Sequence, residues 1–364
     1  MSAILPAPDL FLMCSAMTEN RSLMPSLPYA FGPVGAKGVI RTCPEDFFVE
    51  EIPPCEPDGE GEHVLLKIEK RGDNTEWVAR QLTRLAGVPV RDVSYAGLKD
   101  RHAVTQQWFS IRLAGKDEPD WQTLASDNLK ILECARHQRK LRRGALRGNR
   151  FIIRVRELAG DSMQLESQLR DIQQNGIPNY FGEQRFGHNE GNLIYAKSLF
   201  DGDLGRVSRQ RRGLYISAAR SLLFNHVLAR RVELGNWNQI LLGERVALQG
   251  SRSCFHAEEV DAELLARLAD MDIHPSGPLW GRGDAGVTAE AADIESEVLA
   301  DFVDWQLGLE HCGAEMARRA LRAPVQDMTW EITSDQMVVG FTLPKGSYAT
   351  VLLRECLDYS VAAL

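Results

Sequence analysis

Strand-forming patterns occur near both ends of this chain, and the long helix-rich stretch between them constrains the fold more than any other feature. Residues 47–52 and 63–68 are rich in β-branched and aromatic residues, which predicts two strands. Strand patterns return at 328–333 and 337–343. A mixed α/β unit that is interrupted by helices and then resumed predicts an inserted domain.

The segment 151–156 predicts a further strand with one core face. Because successive side chains of a strand alternate, one face carries apolar residues and the other carries cations. The two sets are Phe151, Ile153 and Val155, and Arg150, Arg154 and Arg156. The arginine face is expected to meet solvent or phosphate.

Helical spacing and capping residues predict the helices. The first begins at Asn74 or Thr75 and ends at Gly87, with Trp77, Val78, Leu82 and Leu85 at helical spacing. The others are expected at 161–174, 217–232, 259–271, 290–302, 310–321 and 347–359.

Composition limits the function classes. The 364 residues are long enough for two domains with hydrophobic cores. A formal net charge of −8 argues against a protein that coats nucleic acid, although a local basic patch can still bind RNA. Seven scattered cysteines without a Cys-x-x-Cys pair favour a reducing compartment and disfavour zinc. No long apolar run predicts a membrane span or a signal peptide.

A basic segment lies between Glu133 and Glu157, which enclose no acidic residue. Its cations include Arg136, Arg139, Lys140, Arg142, Arg143 and Arg147. Such a run is often a solvated surface, but its contrast with an acidic chain favours binding of RNA phosphates. A smaller cluster follows at Arg206, Arg209, Arg211 and Arg212.

Asp100 is the principal candidate for chemistry. It lies in the segment 95–108, between Lys99 and Arg101 and before His102. By residue type alone it is a nucleophile, a base, or a turn cap. The flanking cations suit phosphate contacts or tuning of the carboxylate, and His102 is assigned a structural role.

The run Gly-Leu-Lys-Asp-Arg-His-Ala-Val-Thr from Gly97 to Thr105 resembles the signature of the TruD family of tRNA pseudouridine synthases. Other parts of the family pattern follow the same order along the chain. They are Pro44-Glu-Asp-Phe-Phe-Val-Glu-Glu51, Pro57-Asp-Gly-Glu-Gly-Glu-His63, the segment 136–151, Pro178-Asn-Tyr-Phe-Gly-Glu-Gln-Arg-Phe-Gly187 and Gly346-Ser-Tyr-Ala-Thr350.

The resemblance implies an α/β (α+β) fold: a pseudouridine synthase core with a mixed, mostly antiparallel sheet, plus an inserted helix-rich α/β TRUD domain. We expect the core at 29–177 and 326–364 and the insert at 178–325. Residues 1–28 are expected to be a flexible N-terminal extension.

The resemblance also implies the activity and its residues. Asp100 would be the catalytic carboxylate that converts uridine to pseudouridine, at position 13 in the D arm of glutamate tRNA, in the cytoplasm. No cofactor, metal or obligate protein partner is expected. The substrate-contacting set implied is Phe47, Asn149, Tyr348, Phe151, Lys99 and Arg101, although composition favours Phe151 as a core residue.

Two other functions are compatible with parts of the sequence. A noncatalytic RNA-binding or RNA-folding protein would use the same basic surface, but it would not need Asp100 in an intact signature. A carboxylate-dependent nucleoside hydrolase would release free uracil. The sequence leaves open whether Asp100 attacks ribose carbon 1, attacks the base, or acts as a base.

Overall fold

A computed structural model describes residues 22–362, which leaves most of the predicted extension 1–28 outside the described residues. The strands are β1 Ala36–Ile40, β2 Phe47–Ile52, β3 His63–Arg71, β4 Val93–Tyr95, β5 Val104–Arg112, β6 Leu129–His137, β7 Gly148–Gly160, β8 Ile177–Pro178, β9 Arg245–Leu248, β10 Cys254–His256, β11 Ile273–Leu279, β12 Ala317–Ala320, β13 Arg322–Ala323, β14 Gln326–Ile332, β15 Gln336–Pro344 and β16 Asp358–Val361. The helices are α1 Thr75–Ala86, α2 Ser162–Asn175, α3 Gly191–Phe200, α4 Arg209–Glu233, α5 Ala262–Ala269, α6 Ala289–Leu299, α7 Val303–His311 and α8 Ala349–Arg354.

One large sheet joins the two ends of the described chain. Its main path runs β14-β15-β7-β2-β5-β3-β6, while β1 pairs with β7 and β16, and β4 pairs with β5. The β2–β5 and β1–β16 pairs are parallel, and the other pairs are antiparallel. The predicted mixed, mostly antiparallel sheet is therefore confirmed.

The middle of the chain supplies helices and a smaller sheet. Helices α3 to α7 lie between residues 191 and 311, and the strands of a smaller sheet, in the order β10-β9-β11-β12, lie between residues 245 and 320. A short β8–β13 pair stands where the chain leaves and re-enters the large sheet. The boundaries at 178 and 325 stay a prediction, because one continuous cluster of buried side chains runs from the large sheet into α4.

Strand β7 is an internal strand of the large sheet, with β15 on one side and β2 on the other. Its residues Phe151, Ile153 and Val155 are buried, and Arg150, Arg154 and Arg156 are not. The alternation predicted from the sequence is confirmed.

Helix α1 also matches its prediction. Gly87 ends it in the left-handed region at φ 59°, where glycine is favoured. Val78 and Leu82 are fully buried, whereas Trp77 is 40% exposed and does not belong to the core face.

The predicted helix at 310–321 is wrong. Helix α7 ends at His311, and β12 follows. Strand β12 pairs with β11, and the buried Arg318 on β12 bonds Glu295 on α6 at 2.6 Å. Tertiary pairing thus overrides the helical spacing. The predicted helix 347–359 is shorter than expected, because α8 ends at Arg354 and β16 follows.

Residues just before β1 pack against the core. The backbone N–H of Ala30 donates to the Glu355 carboxylate at 2.7 Å, and Arg354 donates to the Leu27 carbonyl. Phe31 meets Trp237 edge to face, with ring centroids 6.0 Å apart.

Candidate functional site

Asp100 lies at the surface in the loop between β4 and β5, with 26% of its side chain exposed. Its Oδ2 is 2.6 Å from an Arg41 guanidinium nitrogen, and its Oδ1 accepts the His102 backbone N–H at 2.9 Å. Two fixed donors therefore orient a carboxylate that a ligand can still reach.

Arg41 is the residue that sequence reasoning missed. It follows β1 in the left-handed region at φ 60°, a conformation that costs free energy for a residue with a side chain. Its guanidinium lies 4.3 Å from the centre of the Phe47 ring as well as against Asp100. Only the backbone path from β1 to β2 brings these groups together, and no sequence pattern signals it.

Lys99 points inward. Its ammonium is 2.6 Å from Glu51 on β2, and the two side chains are 8% and 1% exposed. Burial raises the pKa of Glu51, and the charge of Lys99 opposes that shift. This position favours a structural role for Lys99 over a phosphate contact. Arg101 is exposed, and its Nε donates to the Gly72 carbonyl at 3.0 Å.

Buried polar groups hold the backbone of residues 96–103, the loop between β4 and β5 that is called the Asp100 loop below. Lys70 is 1% exposed and donates to the carbonyls of Asp73 at 2.8 Å and Asp100 at 3.0 Å. The Lys99 backbone N–H donates to Thr75 Oγ1 at 3.0 Å, and Gln107 donates to the Gly97 carbonyl.

Burial of Lys70 lowers its pKa to about 8. The sequence does contain a signal for the burial of Lys70. The alternation of β3 puts Lys70 on the same face as the buried residues Val64, Leu66 and Ile68.

Phe47 and Phe151 belong to the core beneath the loop. They are 4% and 7% exposed, and their rings meet edge to face at 6.3 Å. Phe151 also stacks on Phe341 at 5.4 Å. The position of Phe151 agrees with its composition-based assignment as a core residue.

Asn149 lies on β7, opposite Glu51 of β2 and Leu343 of β15. Its Oδ1 atom is buried, and within residues 22–362 it has no hydrogen-bond partner. An unpaired buried carbonyl oxygen is costly, so its presence suits an acceptor reserved for a ligand.

Tyr348 is bonded to Arg185, which lies on the segment after β8. Its hydroxyl accepts a bond from Arg185 at 3.3 Å, and it immediately precedes α8. Tyr359 donates to the Thr350 carbonyl at 3.5 Å. Burial raises the pKa of Tyr359. The charge of Glu183 adds to this rise, and the charge of Arg41 opposes it.

Residues 136–147, which carry the cations assigned to RNA phosphates and are called the basic segment from here on, are joined to the Asp100 loop. Gly144 N–H donates to the Ala96 carbonyl at 2.7 Å, and Ser94 donates to the Leu141 carbonyl at 2.8 Å. Beside this segment runs a groove of about 640 Å³ to which Arg80, Arg91 and Tyr95 also contribute.

The cations of this segment differ in their contacts. Arg136 bonds Glu118 at 2.6 Å, Arg147 donates to the Pro54 carbonyl at 3.2 Å, and Lys140 donates to the Arg91 carbonyl. Arg139, Arg142 and Arg143 are exposed and form no ion pair within the part of the chain that the structure describes. These three side chains are the most available for phosphate.

The smaller cluster lies around the start of α4. Arg206, Arg209 and Arg211 are exposed, and Arg212 approaches the Cys312 carbonyl at 3.5 Å. Among residues 22–362, no helix is both long enough and apolar enough to cross a lipid bilayer.

Comparisons with known proteins agree over most of the chain. A family model described as tRNA pseudouridine synthase D (TruD) matches residues 26–206 and 192–356. The chain is 50% identical over 334 residues to tRNA pseudouridine synthase D of Methylococcus capsulatus, covering 92% of this chain and 94% of that relative. It is 48% identical over 332 residues to the Nitrosococcus oceani protein of the same name, covering 90% and 93%.

A solved structure shares the fold. The crystal structure of the putative tRNA pseudouridine synthase D (TruD) from Methanosarcina mazei superimposes with a TM-score of 0.69. The two sequences are 22% identical, and the match covers 90% of this chain and 95% of that chain.

Proposed function

The chain belongs to the TruD family of tRNA pseudouridine synthases, and from this premise we propose that Asp100 is its catalytic carboxylate. The supporting observation is the geometry of that side chain. It is reachable from solvent, and Arg41 at 2.6 Å and the His102 N–H at 2.9 Å fix its orientation. A preoriented ionised carboxylate is suited to assist breakage of a glycosidic bond.

The reaction is an isomerisation with no net gain or loss of atoms. The bond from uracil N1 to ribose carbon 1 breaks, the freed base turns, and uracil carbon 5 joins ribose carbon 1. The proton on carbon 5 is then lost, and N1 carries a proton in the product. We assign Asp100 to the bond-breaking step, in which its charge and electron pair are required.

The target base must leave the RNA stack to reach Asp100. We assign the contacts with it to Phe47, Asn149 and Tyr348, with Phe151 beneath Phe47 as packing support. A turn of the Asn149 side chain toward the bound base would let its unpaired, buried Oδ1 accept the N3–H of uracil. The hydroxyl of Tyr348 adds a polar tip to an aromatic face.

We assign the RNA backbone to the basic segment, with Arg139, Arg142 and Arg143 as the main contacts and Arg136, Lys140 and Arg147 beside them. Arg101 is exposed next to Asp100 and is suited to a phosphate near the target. The substrate that we propose is uridine 13 in the D arm of glutamate tRNA, modified in the cytoplasm.

The test is tritium release from unmodified glutamate tRNA that carries label on uridine carbon 5. Wild type is expected to release tritium and to place pseudouridine at position 13. Asp100→Asn, which cannot carry the charge, is expected to lose turnover and keep RNA binding. Asp117→Asn, on an exposed carboxylate elsewhere, serves as the matched control and should behave as wild type.

Turnover by purified Asp100→Asn would reject the catalytic assignment. Modification at another position would reject the target alone. If neither wild type nor Asp100→Asn releases tritium although both bind the RNA, the noncatalytic RNA-binding function is favoured.

A further inference from the structure

The Asp100 loop reverses the usual placement of polar and apolar side chains. Leu98 is 68% exposed, whereas the side chain of the next residue, Lys99, is 8% exposed. Folding ordinarily favours a buried leucine and a solvated lysine. Local rules of this kind are broken most often at functional sites.

The loop cannot easily turn Leu98 inward. Lys99 is held by Glu51 at 2.6 Å and, through its backbone N–H, by Thr75 at 3.0 Å. The carbonyls on either side, those of Gly97 and Asp100, accept bonds from Gln107 and Lys70. Buried partners therefore fix the backbone on both sides of an outward-pointing isobutyl group.

The surroundings of Leu98 suit RNA. Arg101 and His102 are exposed within four residues of it, and the basic segment is bonded to Ala96, the first residue of the loop. Apart from Gly97 itself and its two chain neighbours, no described residue has an atom within 4 Å of where a Cβ on Gly97 would stand, so the adjacent space is open. An exposed apolar side chain is thus close along the chain to Arg101, and its loop is bonded to a segment whose cations attract phosphates.

We propose that Leu98 is a wedge that enters the RNA base stack at the place vacated by the target uridine. The inference rests on the proposed function, because it requires a flipped substrate for Asp100. Extrusion of a base leaves a gap between its neighbours, and an apolar side chain that fills the gap stabilises the extruded state. Leu98 is two residues from Asp100, so one rigid loop carries both the wedge and the carboxylate.

The first test measures base extrusion without chemistry. The RNA carries 2-aminopurine next to the target uridine, and all proteins carry Asp100→Asn. The parent variant is expected to raise the fluorescence when it binds, because the probe loses a stacking neighbour. Addition of Leu98→Ala should abolish most of this rise at saturating protein. Addition of Leu98→Met should retain it.

Met163→Ala is the matched control, because Met163 is an equally apolar side chain that is 81% exposed on α2. It should leave the fluorescence rise unchanged. An undiminished rise with Leu98→Ala would overturn the proposal, whether or not Asp100 proves to be catalytic.

The second test uses turnover with Asp100 intact. On complete tRNA, Leu98→Ala is expected to lower kcat/KM at least about tenfold. On RNA whose two nucleotides flanking the target are abasic, little stacking remains to be broken, and the variant should match wild type. An equal loss on both RNAs would mean that the substitution disturbs the loop, and the wedge would be rejected. Absence of turnover in wild type would count against the proposed function and leave the fluorescence result standing.

Discussion

Lys70 and Lys99 are both buried near Asp100, but their partners differ. Lys99 faces the carboxylate of Glu51, whereas Lys70 donates to two backbone carbonyls. A buried ammonium without a bonded carboxylate is costly when charged, and burial lowers the pKa of Lys70 to about 8. The charges of Asp100 and Asp73 oppose this shift, and the charge of Lys99 adds to it.

The pKa of Lys70 leads to a prediction about stability and pH. Folding lowers this pKa from 10.5 to about 8, so the unfolded chain holds more protons than the folded chain between these values. The contribution of Lys70 to the free energy of unfolding therefore rises with pH in that window, by up to about 1.4 kcal/mol per pH unit. In urea unfolding from pH 7.5 to 9.5, the free energy of unfolding of wild type minus that of Lys70→Met should increase as pH rises.

Lys130→Met is the control for that measurement, because the side chain of Lys130 is 63% exposed. Its difference from wild type should stay constant over the same pH range. If the free energy of unfolding of wild type minus that of Lys70→Met stays constant or falls over this range, Lys70 keeps its proton in the folded chain.

The buried side chain of Asn225 bonds helix α4 to the segment after β8. Asn225 is fully buried, accepts the Phe181 N–H at 2.9 Å and donates to the Phe181 carbonyl at 3.0 Å. One amide thus satisfies both backbone groups of a residue that belongs to no regular element. The segment that follows Phe181 reaches Tyr348 through Arg185, so this connection also supports one side of the site.

Asn225→Ala should therefore destabilise the protein by about 2–5 kcal/mol, because two buried backbone groups lose their partners. The free energy of unfolding in urea measures the change. Asn128→Ala, at an exposed position, is the control and should change it by less than about 0.5 kcal/mol. A small loss at Asn225 would indicate that water replaces the amide.

Elements with strong local patterns were predictable, and elements defined by distant partners were not. Strand β2 has the predicted bounds, and β7 contains the predicted alternation. Strand β11 escaped prediction because Pro275, Gly277 and Pro278 suggest a loop. It nevertheless pairs on both edges, with β9 and β12.

The same distinction applies to the candidate site. Asp100, Phe47, Phe151 and Tyr348 lie in recognisable sequence motifs, so the sequence alone was enough to select them as candidates. Arg41 joins Asp100 only through the paths that β1 and β2 take to the large sheet. The inward direction of Lys99 likewise depends on Glu51, which is 48 positions earlier in the chain.

Charge is unevenly distributed over the whole molecule. The formal net charge is −8, yet Arg139, Arg142 and Arg143 stand together on the segment bonded to the Asp100 loop. An acidic molecule with a local basic surface is expected to repel RNA elsewhere and to orient it at that surface. Affinity for RNA should then fall with salt, because each phosphate contact releases counterions.

Replacement of Arg139, Arg142 and Arg143 by Ala should weaken binding of the tRNA and flatten its salt dependence. The slope of log K against log salt is negative, and each lost phosphate contact reduces its magnitude by about 1. The magnitude of the slope should therefore be smaller by about 2–3 in the triple variant. Binding is measured with Asp100→Asn across a salt series, so that turnover does not interfere.

The matched control removes three cations that already pair with carboxylates at exposed positions, namely Arg170, Lys197 and Arg267. Both triple variants change the net charge by the same amount, so a general electrostatic effect would alter both slopes equally. A flattened slope only in the first variant places the phosphates on the basic segment. Equal slopes in wild type and in that variant would exclude this segment from the RNA contact and would transfer the assignment to the cluster at the start of α4.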